Sequence, residues 1–200
     1  MPIHTHHHPP KNLSDIQILA IDRAFTPDRW ISLPDALNLI SRGAISHHLG
    51  ETAITLRGGI NAKTGLQSTL QVGSIVVVDS DSWIVKDYHY APFSRQLLFK
   101  RDHNICAYCG ETFSTSDLTM DHVLPASRNG DTSWTNLVTA CKPCNQKKAN
   151  RTPNEARMQL LYVPYHPTRN EWLILRNRNV LADQMEFLAT RLSKHSRLIL

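Results

Sequence analysis

Cys106-Ala107-Tyr108-Cys109 and Cys141-Lys142-Pro143-Cys144-Asn145 are the two stretches from which the rest of the chain is read. Each holds a Cys-x2-Cys pair, and all 4 cysteines of the chain fall in these pairs. A Cys-x2-Cys turn points two sulfurs the same way. Two such turns supply the thiolates of a closed tetrahedral zinc site, with Zn–S near ~2.3 Å. A redox Cys-x-x-Cys needs only one pair, and paired cysteines in a reducing compartment favour metal over disulfides. The expected ligands are Cys106, Cys109, Cys141 and Cys144, and Gly110 relaxes the chain just past the first turn. With no open coordination position, this zinc is structural, and its binding energy counts toward folding.

The interval between the pairs is longer than a minimal zinc ribbon needs. It carries Asp121-His122 and Asn136, and Asn145 follows the second pair directly. Leu118-Thr119-Met120-Asp121-His122-Val123 alternates as a strand, which turns Asp121 and His122 to opposite faces. Leu124 to Thr135 reads as a loop, marked by Pro125, Asn129-Gly130 and Asp131. Asn136-Leu137-Val138-Thr139-Ala140 brings a second strand back. Cys141 to Asn145 then turns into a helix carrying Asn145, Lys147 and Lys148. The order is strand, loop, strand, helix, with a ligand-type residue on each element. An Asp and an Asn offer only oxygens, the donors that Mg2+ or Mn2+ prefer. A histidine, ordinarily titrating near ~6.5, accepts protons at neutral pH.

The 200-residue chain is 41% hydrophobic and 20% charged, an ordinary globular composition with room for one or two domains. No apolar run approaches the roughly 20 residues that span a bilayer. Met1 to Pro10 lacks the apolar stretch of a signal peptide. A cytoplasmic address and no membrane partner are therefore expected. A net charge of +5 and a pI of 9.2 favour a polyanionic partner without demanding one, since a lightly basic solvated surface gives the same values.

Around the cysteine region the chain reads as an α+β protein in four parts. Residues 1–14 form a disordered tail, whose His4, His6, His7 and His8 are read as tail rather than as a metal site. Residues 15–93 form a small α+β region. Ile16 to Ile21 suits a buried strand, and Trp30 to Leu33 a second. A helix from Leu33 to Ile40 puts Leu33, Ala36, Leu37 and Ile40 on one face, with Pro34 in its first turn and Gly43 closing it. Ala53 to Leu56 and Ser74 to Val78 are strands, with Gly58-Gly59 and Asn61 marking the loop between them. Trp83 to Val85 is a further candidate strand. His47-His48 points to both faces of a strand and carries no site. Pro92 marks a junction, and Ser94 to Arg101 is a helix with Arg95, Lys100 and Arg101 on a basic face.

Residues 94–165 hold the cysteine module, whose words are similar to those of the HNH endonuclease family. The resemblance rests on the two Cys-x2-Cys pairs, on Asp121-His122-Val123-Leu124-Pro125, and on Trp134-Thr135-Asn136-Leu137-Val138-Thr139-Ala140-Cys141. Cys144-Asn145-x2-Lys148 and Lys148-Ala149-Asn150-Arg151-Thr152-Pro153 extend it, so it is specific from about Arg101 to Arg157. Upstream, Ile18 to Asp22 and the helix from Ala36 to Gly43 resemble the N-terminal region of many bacterial HNH proteins more weakly. The resemblance implies a ββα-metal fold and a DNA endonuclease or nickase. It implies His122 as general base, Asp121 and Asn145 as Mg2+ or Mn2+ ligands, and Asn136 as the brace that orients the histidine. The third motif position is Asn145, where an amide oxygen still ligates hard metals. Family likeness also implies 5′-phosphate and 3′-hydroxyl products. The chemistry is consistent: hydrolysis of a phosphodiester needs a proton acceptor and neutralisation of developing charge. Arg128, Lys147, Lys148 and Arg151 are expected to contact DNA phosphates, Lys148 foremost.

Residues 166–200 read as a C-terminal helical extension. Thr152-Pro153-Asn154-Glu155 is a helix start, after which Met158, Leu160 and Leu161 pack on the zinc module. Glu171 to Leu175 is a strand or a helical turn. Val180 to Leu192 is an amphipathic helix with Leu181, Met185, Leu188 and Leu192 on one stripe, either core or a homodimer seam. Two rival functions remain. A non-catalytic zinc-dependent nucleic-acid-binding module would not need the Asp121, His122, Asn136 and Asn145 set. An RNA-directed nuclease would stack unpaired bases on exposed aromatics, and only 7% of residues are aromatic.

Overall fold

Ile18 to Ile21 is apolar at every position, and such a run is buried on both faces. In the computed structural model, which describes residues 13–79, 93–177, 179–194 and 196–198, it lies inside a sheet. The chain divides into two units. The first comprises residues 1–88 and 177–192, the second 89–176 and 193–200. The stretch 166–200, read from sequence as one extension, is thus shared between both units.

The first unit has four strands: β1 (Gln17–Ile21), β2 (Pro27–Ser32), β3 (Ile45–Ile60) and β4 (Gln67–Val78). Their order is β2-β1-β4-β3. β1 pairs antiparallel with β2 and parallel with β4, and β3 pairs antiparallel with β4. Helix α1 (Leu33–Ser41) starts where Ser32 Oγ accepts from the Asp35 N–H at 3.3 Å. It ends before Gly43, whose φ of 67° suits a left-handed exit. Its fully buried positions are Leu33, Ala36 and Leu39, which join Ile18, Ala20, Ile31 and Val76 in one core. Leu37 and Ile40 pack only at the edge of that core.

Gly58-Gly59 lies within β3, and the connecting turn falls at residues 61–66. The register shifts between Arg57 and Ile60, so the two glycines absorb an irregularity in the ladder rather than make the turn. Trp83 to Val85, Pro92 and all of the N-terminal tail before Leu13 lie outside the described residues.

The second unit begins with α2 (Arg95–Arg101), capped by Ser94 Oγ, which accepts from the Leu97 N–H at 3.2 Å. β5 (Leu118–His122) and β6 (Leu137–Cys141) form a two-stranded antiparallel sheet. α3 (Lys142–Lys148) follows β6 without a break, and α4 (Arg169–Arg176) settles Glu171 to Leu175 as helix. Thr152 and Glu155 do make reciprocal capping bonds, Thr152 N–H to Glu155 Oε2 at 2.9 Å and Glu155 N–H to Thr152 Oγ1 at 3.4 Å. The turn stops at once, because Arg157 takes φ 55° and the Met158 N–H returns to the Pro153 carbonyl. Met158 is buried beyond it, but Leu161 is 57% exposed.

The last helix, α5 (Ala182–Ala189), is shorter than its sequence pattern and belongs to the first unit. Gln184 and Leu188 are fully buried, while Met185 is exposed. Gln184 Nε2 donates to the Gln17 carbonyl at 2.9 Å and the Ser74 carbonyl at 2.8 Å. Of the expected stripe, Leu188 is buried in the unit, while Leu181 and Leu192 are half-buried and Met185 is exposed. Among the described residues no helix is long and apolar enough to cross a membrane.

Of the expected basic face of α2, Arg101 is not at the surface. Arg101 is fully buried beside the equally buried Asp102. Its Nε donates to Asp102 Oδ1 at 2.8 Å, and its two Nη groups reach the carbonyls of Trp134 (2.6 Å), Tyr165 (2.8 Å) and Leu137 (2.9 Å). Asp102 Oδ2 in turn accepts from the Thr139 N–H at 2.9 Å. The guanidinium also lies over the rings of Trp134 and Tyr165. One cation thus ties α2 to β6 and to the loops on either side. Lys100 and Arg95 are likewise turned to backbone carbonyls, those of Leu175 and Leu118. Arg101→Met leaves Asp102 buried without its cation, so unfolding free energy should fall by about 3–5 kcal/mol. Urea denaturation checks this, and an unchanged midpoint would contradict it.

Candidate metal centre and active site

The first Cys-x2-Cys turn is held by its own backbone. The Gly110 N–H closes on the Cys106 carbonyl at 3.0 Å, and the Ala107 N–H docks on the Thr139 carbonyl of β6 at 2.8 Å. Gly110 has φ 77°, and a Cβ there would press to 3.1 Å from Leu161. The second turn forms the start of α3, with Cys141 as N-cap and Pro143 in the first turn. The strand pairing sets Leu118 opposite Cys141, which brings the second turn alongside the first. All four sulfurs lie within 4.8 Å of one another. A tetrahedral Zn–S distance of ~2.3 Å puts sulfurs about 3.8 Å apart, so the cluster fits the ion.

The protonation chemistry agrees. Burial is the largest influence on Cys106 and raises its thiol, but N–H donors from Cys109, Cys141 and Tyr108 outweigh it and leave the thiol lowered. Burial, and then the Cys141 and Cys106 sulfurs, push Cys144 well above the ordinary thiol range. Burial also raises Cys109. Crowded thiols cannot all ionise alone, and a central dication removes that repulsion.

The polar residues gather at the other end of the same two strands. Asp121 is buried on β5, and His122 is the half-buried last residue of that strand. Both carboxylate oxygens of Asp121 are engaged. Tyr108 Oη donates to Oδ2 at 2.5 Å, and Lys148 Nζ donates to Oδ1 at 2.9 Å. Lys148 Nζ also reaches the His122 carbonyl at 2.8 Å. Burial, followed by the Asp121 carboxylate, drives the Tyr108 phenol far above its usual range, so its hydroxyl stays a donor.

His122 Nε2 lies 3.2 Å from Thr132 Oγ1 in the connecting loop. Asn136 braces that loop at both ends. Its Oδ1 accepts from the Leu124 N–H at 2.8 Å, and its Nδ2 donates to the carbonyls of Leu124 (3.1 Å) and Asp131 (2.8 Å). Gly130 folds so closely onto Leu124 and Pro125 that no side chain fits there. Asn145, on α3, donates from Nδ2 to Thr119 Oγ1 at 2.9 Å, which anchors its amide to β5.

Residues 106–161 match the family model described as HNH endonuclease. The segment is an HNH endonuclease domain with a four-cysteine cluster. It is similar to part of the CRISPR-associated endonuclease Cas9 of Campylobacter jejuni, at 43% identity over 65 residues, covering 30% of this chain and 7% of that protein. The Cas9 of Corynebacterium diphtheriae is 42% identical over 52 residues, covering 26% of this chain and 5% of that protein. The chain therefore spans only a small fraction of the length of these relatives. A crystal structure of the Type II-C Cas9 enzyme from Actinomyces naeslundii aligns with 50% of this chain and 15% of that one at 21% identity, with a TM-score of 0.27.

Of the four basic residues expected to contact phosphate, Lys148 does not lie on the surface. Lys148 is 1% exposed, so it is an internal partner of Asp121 and not a surface contact for phosphate. A lysine near the end of a short helix reads as solvated, and only the return of α3 onto β5 buries it. Arg128 forms a bidentate pair with Glu155, with Nη1 at 2.7 and 2.8 Å from its two oxygens. Arg151 folds back onto the carbonyls of Lys147 and Lys148 at the end of α3. Both of these side chains remain on the surface, as does Lys147. Tyr108 is a site residue to which the sequence alone assigned no role. A large aromatic inside a Cys-x2-Cys turn is its only sequence signal.

Two outcomes follow from this geometry. Protein washed of loosely held ions should contain close to one zinc per chain. Cys141→Ser should lose it together with the fold of the HNH domain, because structural zinc contributes about 10–16 kcal/mol of apparent binding energy in small modules. A stable zinc-free parent would contradict this. Lys148→Ala, in zinc-loaded protein without Mg2+ or Mn2+, should lower unfolding free energy by about 3–5 kcal/mol, since it leaves a buried carboxylate without its cation. Equal denaturation midpoints for variant and parent would contradict it.

Proposed function

We propose that this HNH domain is a metal-dependent DNA endonuclease or nickase in which His122 is the general base. The observation that carries the reading is the pairing at the end of β5. Asp121 is held inside by two donors, while the adjacent His122 imidazole lies at the strand's half-buried end beside a braced loop, within a segment that matches the HNH endonuclease family. Asp121 and Asn145 would hold Mg2+ or Mn2+ through a carboxylate and an amide oxygen, the hard donors such ions take. When bound there, such an ion supplies charge neutralisation at the scissile phosphate and the leaving oxygen.

The protein's own residues do the remaining work. His122 accepts a proton from the attacking water at a ring nitrogen, and Thr132 Oγ1 fixes the ring through Nε2. Asn136 holds the loop from Leu124 to Asp131 in one shape, which keeps Thr132 within reach of the imidazole. Thr119 orients the Asn145 amide. Arg128, Lys147 and Arg151 supply surface charge for the DNA backbone, a role that Lys148 does not share.

Supercoiled plasmid provides the test. The parent should nick or cut it with Mg2+ or Mn2+ and stop in excess EDTA. His122→Ala should keep zinc, fold and DNA binding but cut at least 10²–10⁴-fold more slowly, the usual contribution of a positioned acid–base group. Cutting by His122→Ala at the parent's rate, in protein free of contaminating nuclease, would overturn the assignment. DNA binding without cleavage by the parent would favour a non-catalytic nucleic-acid-binding module.

A further inference from the structure

The two donors on Asp121 come from the two halves of the cysteine cluster. Tyr108 sits inside the first Cys-x2-Cys turn, and Lys148 stands four residues after Cys144 on the helix that the second turn opens. Tyr108 has little freedom of its own. The neighbouring Ala107 is pinned by the Thr139 carbonyl on one side and by the Leu161 N–H on the other. The Tyr108 ring packs with Phe113 around Cys106, Ala140 and Cys141. The phenol oxygen therefore stands at a fixed offset from the four sulfurs, and that offset ends 2.5 Å from Asp121 Oδ2. Lys148 approaches Oδ1 along the opposite route.

We infer that Tyr108 is a positioning residue that makes divalent-ion binding at Asp121 depend on the folded cysteine cluster. The inference rests on the reading of Asp121 as a ligand for Mg2+ or Mn2+. Residues that hydrogen-bond a ligating carboxylate set its orientation, and their loss typically costs about 10–100-fold in metal affinity or activity. A tyrosine that only filled space between the turn and β5 would be replaced without loss by phenylalanine, which has the same ring and packs the same neighbours.

The test is Tyr108→Phe in the full chain, with Asp121→Ala as the reference. Zinc content is measured by metal analysis, and Mn2+ binding to DNA-free protein by the electron paramagnetic resonance signal of free Mn2+. Tyr108→Phe should keep one zinc per chain and bind Mn2+ about 10–100-fold more weakly. In plasmid cleavage it should need correspondingly more Mn2+ and recover most of the parent rate at saturation. If Tyr108→Phe keeps its zinc and binds Mn2+ as the parent does, while Asp121→Ala binds more weakly, the inference is overturned and the metal-site reading stands. If Tyr108→Phe loses zinc, the tyrosine is a structural part of the cluster and the inference is again overturned. If Asp121→Ala binds Mn2+ as tightly as the parent, the reading of Asp121 as a ligand fails, and the inference falls with it.

Discussion

Four sulfurs within 4.8 Å of one another are the constraint on which the HNH domain depends. The domain spans 106–161 and has little else to hold it. Its sheet has two strands of five residues each, and isolated two-stranded sheets are marginal in water. The buried apolar groups beside it form small clusters, one around Leu98, Trp134 and Leu137 and one around the cysteines themselves. A core of that size offsets little of the conformational entropy lost on folding. Cross-linking Cys106 and Cys109 to Cys141 and Cys144 closes the chain across both strands, the intervening loop and the start of α3. The proposed general base, metal ligands and loop brace all lie inside that closed segment or within one residue of it.

The second support is internal charge. Arg101 and Lys148 are cations with almost no exposed surface, and each is matched to a carboxylate and to backbone carbonyls. Their roles differ. Arg101 joins α2, β6 and the segments at Trp134 and Tyr165, where five N–H groups in a planar fork satisfy several carbonyls at once. Lys148 reaches one carboxylate and one carbonyl with a compact ammonium, at the place where the domain's own chemistry is proposed. Breaking such a pair leaves an uncompensated buried charge, so each cation holds the groups it bonds in place. The chemistry proposed for Asp121 and His122 needs a carboxylate and an imidazole held in fixed relation on adjacent residues.

The first unit is built by other means. Its central strands are buried runs of Ile, Leu and Val, and α1 covers one face with Leu33, Ala36 and Leu39. Among the described residues its polar burial is small, and Gln184 is the clearest case, bonding carbonyls of Gln17 and Ser74 from α5. This unit carries no cluster of cysteine, histidine and carboxylate side chains suited to a metal among its described residues.

The grouping of Asp121, His122, Asn136 and Asn145 came from the resemblance to HNH sequences; local spacing made the cysteine pairs, the strand–loop–strand–helix order, and α1 with its Gly43 exit legible in the sequence. Each of these depends on interactions within a few residues or on a repeat of fixed period, which a linear pattern records. The sequence also gave Thr152 to Glu155 the chemistry of a helix start, and that local chemistry is present, but one left-handed residue at Arg157 ended the helix after a turn. What the pattern could not hold was the destination of long polar side chains. Arg101, Lys148 and Tyr108 each find partners brought near by strand pairing or by the return of a helix, 13 to 64 residues away for the partners outside their own neighbourhood. A lysine or arginine carries the same letter whether its charge meets water or a buried carboxylate. Only the tertiary structure, by removing water from one of those choices, decided between them.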